Sequence, residues 1–145
     1  MEYAEEKIRW GISQCDILKI SDDEIFFLTG TEDIKEGIRM ILDQYSVPFV
    51  CATMGKSGSM AFFDGQVVEA DPFLRKDTIE TTGAGDTFCG CSINGVLKYG
   101  LDNLDEAKLK EILTYANAGA ALITMKKGAI RSMPEPENIK ELIGK

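Results

Sequence analysis

Histidine is absent from the 145 residues. Without an imidazole, the Ser-His and Cys-His pairs that activate many nucleophiles cannot form, and a zinc site loses its usual nitrogen ligand. The four cysteines, Cys15, Cys51, Cys89 and Cys91, contain no CxxC pair, so a thiolate zinc site is not expected either. They read as reduced and mostly buried thiols. Cys89 and Cys91 lie two apart on a predicted helix and so point to nearly opposite sides. Basic residues are scarce: 16 Lys and Arg stand against 24 Asp and Glu, a formal charge of −8. That sign argues against nucleic acid or an anionic membrane as partner. An anionic ligand would need local N–H groups, a cation or individual lysines. No apolar run approaches the roughly 20 residues of a membrane-spanning helix. The acidic start, Met1-Glu2-Tyr3-Ala4-Glu5-Glu6, lacks a signal-peptide core, and with reduced thiols it points to a cytoplasmic protein. There is no internal repeat, and the length fits one domain over residues 1–145 with a real core.

What is present is an alternation of helical and extended patterns. Residues 2–15 read as a helix on the spacing of Ile8, Ile12 and Cys15, with the lone Trp10 off that line. Residues 16–20 form a short apolar strand. Ser21 followed by Glu24 is a capping box, and the helix it opens stops near Gly30. Thr31 or Asp33 opens the next helix, whose stripe is Ile34, Ile38, Ile41, Leu42 and Tyr45. Residues 48–54 are continuously apolar, as in a strand covered on both faces. A turn at residues 55–58 leads to a hairpin, 59–63 and 66–70, joined by Asp64-Gly65 in a type I′ turn. Beyond the connector 71–77, helices are expected from Asp86 to about Tyr99, with Phe88, Cys91, Val96 and Leu97 facing the core and Gly90 and Gly95 allowing close packing. Two more follow at 104–125 and 136–143. The order implies α/β layers, with the turns at 21–24, 55–58 and 81–86 converging on one edge, beyond the strands' C-terminal ends.

The organising stretch is Glu80-Thr81-Thr82-Gly83-Ala84-Gly85-Asp86-Thr87-Phe88. Ile79 reads as the end of an extended segment, and small residues then lead into a helix. The first N–H groups of a helix lack intrahelical partners and its dipole favours negative charge, so the turn is an anion site. Asp86 is the exception there, because a carboxylate repels an anion. It is either an N-cap or a general base for a hydroxyl that attacks a phosphoryl group. Glu24 has the same two faces, a capping residue or a carboxylate turned toward a ligand's metal. The small run 116–121 suits either a tight helix contact or a flat ligand. Residues 126–129 read as a helix C-terminal turn.

This stretch resembles the C-terminal signature of the ribokinase-like (PfkB) carbohydrate kinases. Other segments resemble the same family in the same order: Asp16-Ile17-Leu18-Lys19-Ile20-Ser21-Asp22-Asp23-Glu24, Ala52-Thr53-Met54-Gly55-Lys56-Ser57-Gly58, Tyr115-Ala116-Asn117-Ala118, and Lys126-Lys127-Gly128-Ala129 through Ser132-Met133-Pro134. The Lys-Ile-Ser and Lys-Lys-Gly-Ala segments are nearest to the fructokinase branch. The resemblance implies the C-terminal part of a three-layer, Rossmann-like α/β/α fold with a β-hairpin. It implies ATP-dependent phosphorylation of a sugar hydroxyl, with fructose and ATP as small-molecule partners. Asp86 would be the base, and Gly83, Ala84 and Gly85 the anion hole. Thr53, Gly55 and Gly58 would follow the ATP phosphates and ribose, with Asn117 near the adenine. Glu24 would hold Mg²⁺ through water. Glu80, Thr82, Gly128 and Ser132 would surround a monovalent cation, K⁺. Two positions depart from the family pattern: Ser21 replaces Asn, and Glu80 replaces Asp.

Nothing in the sequence resembles the family's N-terminal half, which carries its sugar-binding residues, lid and several central strands. The chain is therefore expected to be the ATP-binding portion of a sugar kinase, inactive in isolation, with an exposed sheet edge open to homo-oligomer or swapped-dimer formation. The alternative is an inactive nucleotide-binding or assembly module.

Overall fold

The computed structural model describes residues 2–144. Its element order is α1 (Glu2–Ile12), β1 (Ile17–Ser21), α2 (Asp22–Thr29), α3 (Ile34–Gln44), β2 (Phe49–Thr53), β3 (Ser59–Phe63), β4 (Gln66–Ala70), α4 (Ala84–Tyr99), α5 (Glu106–Ile123) and α6 (Pro136–Ile143). The strands form one sheet in the order β1-β2-β3-β4. β1 and β2 are parallel, Ile17 opposite Phe49, and the later pairs are antiparallel. The parallel pair requires a crossover, which α2 and α3 supply.

β2 shows why the molecule has three layers. Its residues alternate between two cores: Phe49 and Cys51 enter one, Val50 and Ala52 the other. The first core closes under α4 and α5 through Phe88, Val96, Leu109, Ile112 and Leu113. The second closes under α1, α2 and α3 through Ile12, Ile25, Leu28, Ile38 and Ile41. A strand buried on both faces reads as an uninterrupted apolar run, as the sequence of β2 does. The capping box of α2 is complete: the Ser21 N–H donates to Glu24 Oε2 at 2.7 Å, and the Glu24 N–H donates to Ser21 Oγ at 3.3 Å. Asp33 caps α3 in the same way through its bond from the Glu36 N–H. In the hairpin turn both Asp64 (φ 47°) and Gly65 (φ 74°) are left-handed, the type I′ geometry.

Several expectations need correction. Residues 71–83 contain no strand, so Ile79 does not end one; the Ile79 and Glu80 N–H groups both donate to the Thr124 carbonyl. Helix α4 begins at Ala84 with Gly83 as its N-cap, and Asp86 is the third residue of its first turn. The N-cap reading of Asp86 is therefore wrong. Leu97 is 78 % exposed rather than in the core. Gly90 has open space around its Cβ position, whereas a methyl at Gly95 would press on Ile112. Of the four free cysteines only Cys51 is fully buried. No helix among the described residues is long and apolar enough to cross a membrane.

Candidate active site

The C-terminal ends of β1 and β2 open into a cleft of about 460 Å³. The turns after the two strands and the first turn of α4 all reach it: Lys19, Ser21 and Asp22; Thr53, Gly55, Lys56 and Gly58; Thr81, Ala84 and Gly85. The expected convergence of three turns is present. The connector 71–77 forms a fourth wall through Phe73, Leu74 and Arg75, and α5 adds Asn117, Ala120, Ala121 and Thr124.

Each wall has a local cause. Gly58 is left-handed (φ 90°), and an added Cβ would collide with the Ala70 carbonyl oxygen. Its glycine is required by that backbone crossing. Asn117 is buried and its amide donates to the carbonyls of Ala70 (3.2 Å) and Asp71 (3.0 Å). It fastens the connector to α5 while standing in the cleft wall. The small run of α5 does two jobs. A Cβ at Gly119 would lie 2.9 Å from Cys91 Sγ, so that side packs on α4, whereas Ala120 and Ala121 face the cleft.

The Gly83–Asp86 turn has two sides. Gly83 is left-handed (φ 82°), and an added Cβ would stand 3.0 Å from the Ala129 Cβ. The Ala84 N–H is already donated to the Thr81 carbonyl at 3.1 Å. The N–H groups of Gly85 and Asp86 have no acceptor among the described residues. The Gly83 N–H likewise has no acceptor among the described residues, so of the expected set of 83, 84 and 85 only the Ala84 amide is already committed. Asp86 does not line the cleft. Its carboxylate is exposed and faces a second groove of about 510 Å³, along β1 between α1 and α4, lined by Ile8, Ile12, Cys15, Ile17, Leu18 and Cys89 among others. Among the described residues, only Lys19 and Gly85 line both cavities.

Glu24 stands beside this junction, 3.8 Å from Lys19 Nζ. Burial pushes its carboxyl pKa up, but the Ser21 N–H and hydroxyl and the Lys19 charge outweigh that and leave it below the ordinary carboxylate value. The carboxylate is already committed to its cap. Of the four residues expected around a monovalent cation, Gly128 stands beside the Ser132 hydroxyl, and Gly83, next to Thr82, packs on Ala129, next to Gly128. The Ser132 hydroxyl donates to the Lys127 carbonyl at 2.7 Å, and neither Glu80 nor Thr82 makes a side-chain hydrogen bond to that turn.

Sequence reasoning missed Lys19, Arg75, Thr78 and Thr124 in the cleft wall. Lys19 could have been found, because in β1 it alternates with apolar neighbours on a strand whose two faces are covered. Arg75 could not, since its position depends on the path of an irregular connector; there it pairs with Asp77 at 3.0 Å.

The lining suits a nucleoside triphosphate. It combines cations (Lys19, Lys56, Arg75), hydroxyls, a free amide at Gly85, and small residues where a flat ring could rest. No group of three or more metal-ligating side chains exists among the described residues. A divalent cation carried by a nucleotide would need only one or two protein carboxylates beside the phosphates. Glu24 and Asp22 are the carboxylates at hand.

Residues 2–136 match the pfkB family of carbohydrate kinases. The chain is 32 % identical to a probable fructokinase-4 of Arabidopsis thaliana over 98 % of its own length and 43 % of that protein's. It is 36 % identical to a fructokinase-1 of Zea mays, over 91 % of this chain and 41 % of that one. Among solved structures it resembles a fructokinase from Vibrio cholerae O395 in a form bound to fructose, ADP and calcium, with a TM-score of 0.86, 26 % identity, and coverage of 98 % of this chain and 45 % of the other. A ribokinase of Arabidopsis thaliana complexed with ribose and ATP gives 0.77 and 27 %, covering 93 % and 43 %. The chain thus spans less than half the length of these relatives. By the match along its length, and by the shared three-layer fold, this chain belongs to the pfkB family of carbohydrate kinases.

Proposed function

We propose that the chain is the nucleotide-binding and proton-accepting portion of an ATP-dependent sugar kinase, with fructose as the acceptor. The observation that carries this reading is the two-sided first turn of α4: Gly85 faces the cleft, the next residue, Asp86, faces the groove, and the cavities meet at Gly85 and Lys19. A phosphoryl donor in the cleft and an alcohol in the groove would touch there. Fructose follows from the relatives, which include fructokinases and a structure holding fructose and ADP.

In this reading Asp86 accepts the proton of the sugar hydroxyl as its oxygen bonds to phosphorus and the bond to the ADP oxygen breaks. The Gly83-Ala84-Gly85 turn is the anion hole, and its unclaimed amides at Gly83 and Gly85, with that of Asp86, receive the charge that develops on the phosphoryl oxygens. Thr53, Gly55 and Gly58 follow the phosphates and ribose, and Asn117 holds the wall beside the base. Glu24 would help hold Mg²⁺ through water, and the ion would neutralise phosphate charge. Glu80 and Thr82 before α4, with Gly128 and Ser132 after α5, would hold K⁺.

A second reading is favoured by the groove itself. Asp86 and Lys19 are its charged side chains, and the rest of its lining is apolar, glycine or cysteine. Such a surface offers little to sugar hydroxyls, so the chain by itself would be a nucleotide-binding module that needs a further segment or subunit to hold the acceptor.

Two measurements test both. Calorimetric titration of the chain with Mg²⁺ and ATP is expected to show binding, and no heat under any condition overturns the nucleotide site. Fructose-dependent ADP release, assayed in the full product of the gene, is expected to fall by roughly 10²–10⁴ in Asp86→Asn, the range for loss of a general base, with ATP binding kept. An active Asp86→Asn protein rules out the proton-accepting role.

A further inference from the structure

We propose that Lys19 is the cation that binds the transferring phosphoryl group, at the place where the cleft and the Asp86 groove meet. The inference rests on the nucleotide reading above and adds to it a residue that the capping box and the glycine turn do not supply.

Lys19 occupies the middle of β1, and its side chain leaves the sheet on the same face as Ile17, toward the core under α4. A lysine in that position is costly, because a covered strand face withdraws its ammonium from water. Its side chain is only 21 % exposed. Yet Nζ makes no hydrogen bond to any described residue. Its nearest opposite charge, Glu24 Oε2, lies 3.8 Å away and is engaged by the Ser21 N–H at 2.7 Å. The other carboxylates at the junction, Asp22 in the cleft and Asp86 in the groove, form no ion pair with it.

What Lys19 does face is Gly85. A Cβ built on Gly85 would stand 3.3 Å from Lys19 Nζ and 3.7 Å from its Cε. The absent side chain leaves a gap framed by the Lys19 ammonium and by α4's first turn, where the Gly85 N–H is unclaimed. The ammonium thus faces a methyl-sized space beside an unclaimed amide, and no anion among the described residues fills it. A phosphoryl oxygen satisfies both donors. Because Lys19 also lines the groove, it can stay with the phosphoryl group as that group passes from the cleft toward the acceptor beside Asp86. A terminal phosphate should need Lys19, and a diphosphate lying deeper in the cleft should not.

The test is a comparison of two nucleotides in the 145-residue chain. AMP-PNP and ADP, each with Mg²⁺, are titrated calorimetrically into the unsubstituted chain, Lys19→Met and Lys19→Arg, with folding checked by circular dichroism. Lys19→Met is expected to weaken AMP-PNP binding roughly tenfold or more, the worth of a charge-assisted bond, and to leave ADP affinity unchanged. Lys19→Arg is expected to restore most of the loss. Should the Met variant not fold, Lys19→Gln gives the same comparison. A Lys19→Met chain that binds both nucleotides as before, or loses both equally, overturns the assignment and leaves the nucleotide site standing. An unsubstituted chain that binds neither nucleotide removes both readings.

Discussion

Gly58 and Gly95 are glycines for different reasons, and the difference can be measured. At Gly58 the backbone is left-handed and a methyl would meet the Ala70 carbonyl, which is backbone and cannot rotate away. Gly58→Ala should lose at least about 2 kcal/mol of stability in urea denaturation, from strained φ and the clash together. At Gly95 the obstacle is the root of the buried Ile112 side chain, but the backbone is not left-handed, so Gly95→Ala carries a clash without strained φ and should cost less. Glu24 allows a prediction in pH. Its folded pKa lies below the ordinary value of 4.5. A depressed carboxylate stabilises the fold above its unfolded pKa, and that contribution disappears as pH falls through the folded one. The stability of the native chain should therefore drop through that acid window by more than that of Glu24→Gln. The side chain is 59 % exposed, which limits the difference to about 1 kcal/mol or less.

Elements whose ends are fixed by neighbouring residues were legible in the sequence, and elements fixed by distant ones were not. The Asp64-Gly65 turn, the Ser21–Glu24 box and the Asp33 cap are written in consecutive residues, and all stand where expected. Ser21→Ala should cost about 1 kcal/mol by thermal or urea denaturation, mainly by fraying α2. The start of α4 was misplaced because Asp is a far commoner cap than glycine. Here Gly83 must be left-handed and must let Ala129 approach, a contact across 46 residues (129 less 83) that no local pattern announces. Ile79 failed for a related reason. Its apolar side chain suggested a strand, but its N–H is taken by the Thr124 carbonyl at the end of α5. In the candidate site the same rule divides the glycine turn, which was visible, from Lys19 and Arg75, whose importance depends on what folds against them. Asn117 was singled out as a residue beside the adenine; that it lines the cleft and fastens Ala70 and Asp71 could come only from the assembled structure.

Across the whole molecule, the sheet couples two cores through β2. Phe49→Ala and Val50→Ala empty opposite cores, yet both should unfold the chain in one transition, seen as coincident fluorescence and circular dichroism curves. The larger truncation should cost about 3–5 kcal/mol. β1 is paired on one side only, by β2, and its other edge borders the apolar groove. An unpaired edge beside apolar surface invites association. Trp10, the single tryptophan, is 66 % exposed on α1, the helix whose Ile8 lines that groove. Its emission should shift to the blue as chain concentration rises, and a spectrum and light-scattering mass that stay constant with concentration would count against self-association through this edge.

Gly85 and Asp86 are adjacent in sequence, yet Gly85 lines both cavities and Asp86 the groove alone, because each helical residue turns about 100° from the last. The length of this segment is therefore fixed as strictly as its composition. One residue inserted between Gly83 and Asp86 would swing the carboxylate out of its groove while leaving every side chain of the signature intact. Homologues that keep these letters but change their count should be expected to have lost the proton-accepting role proposed for Asp86.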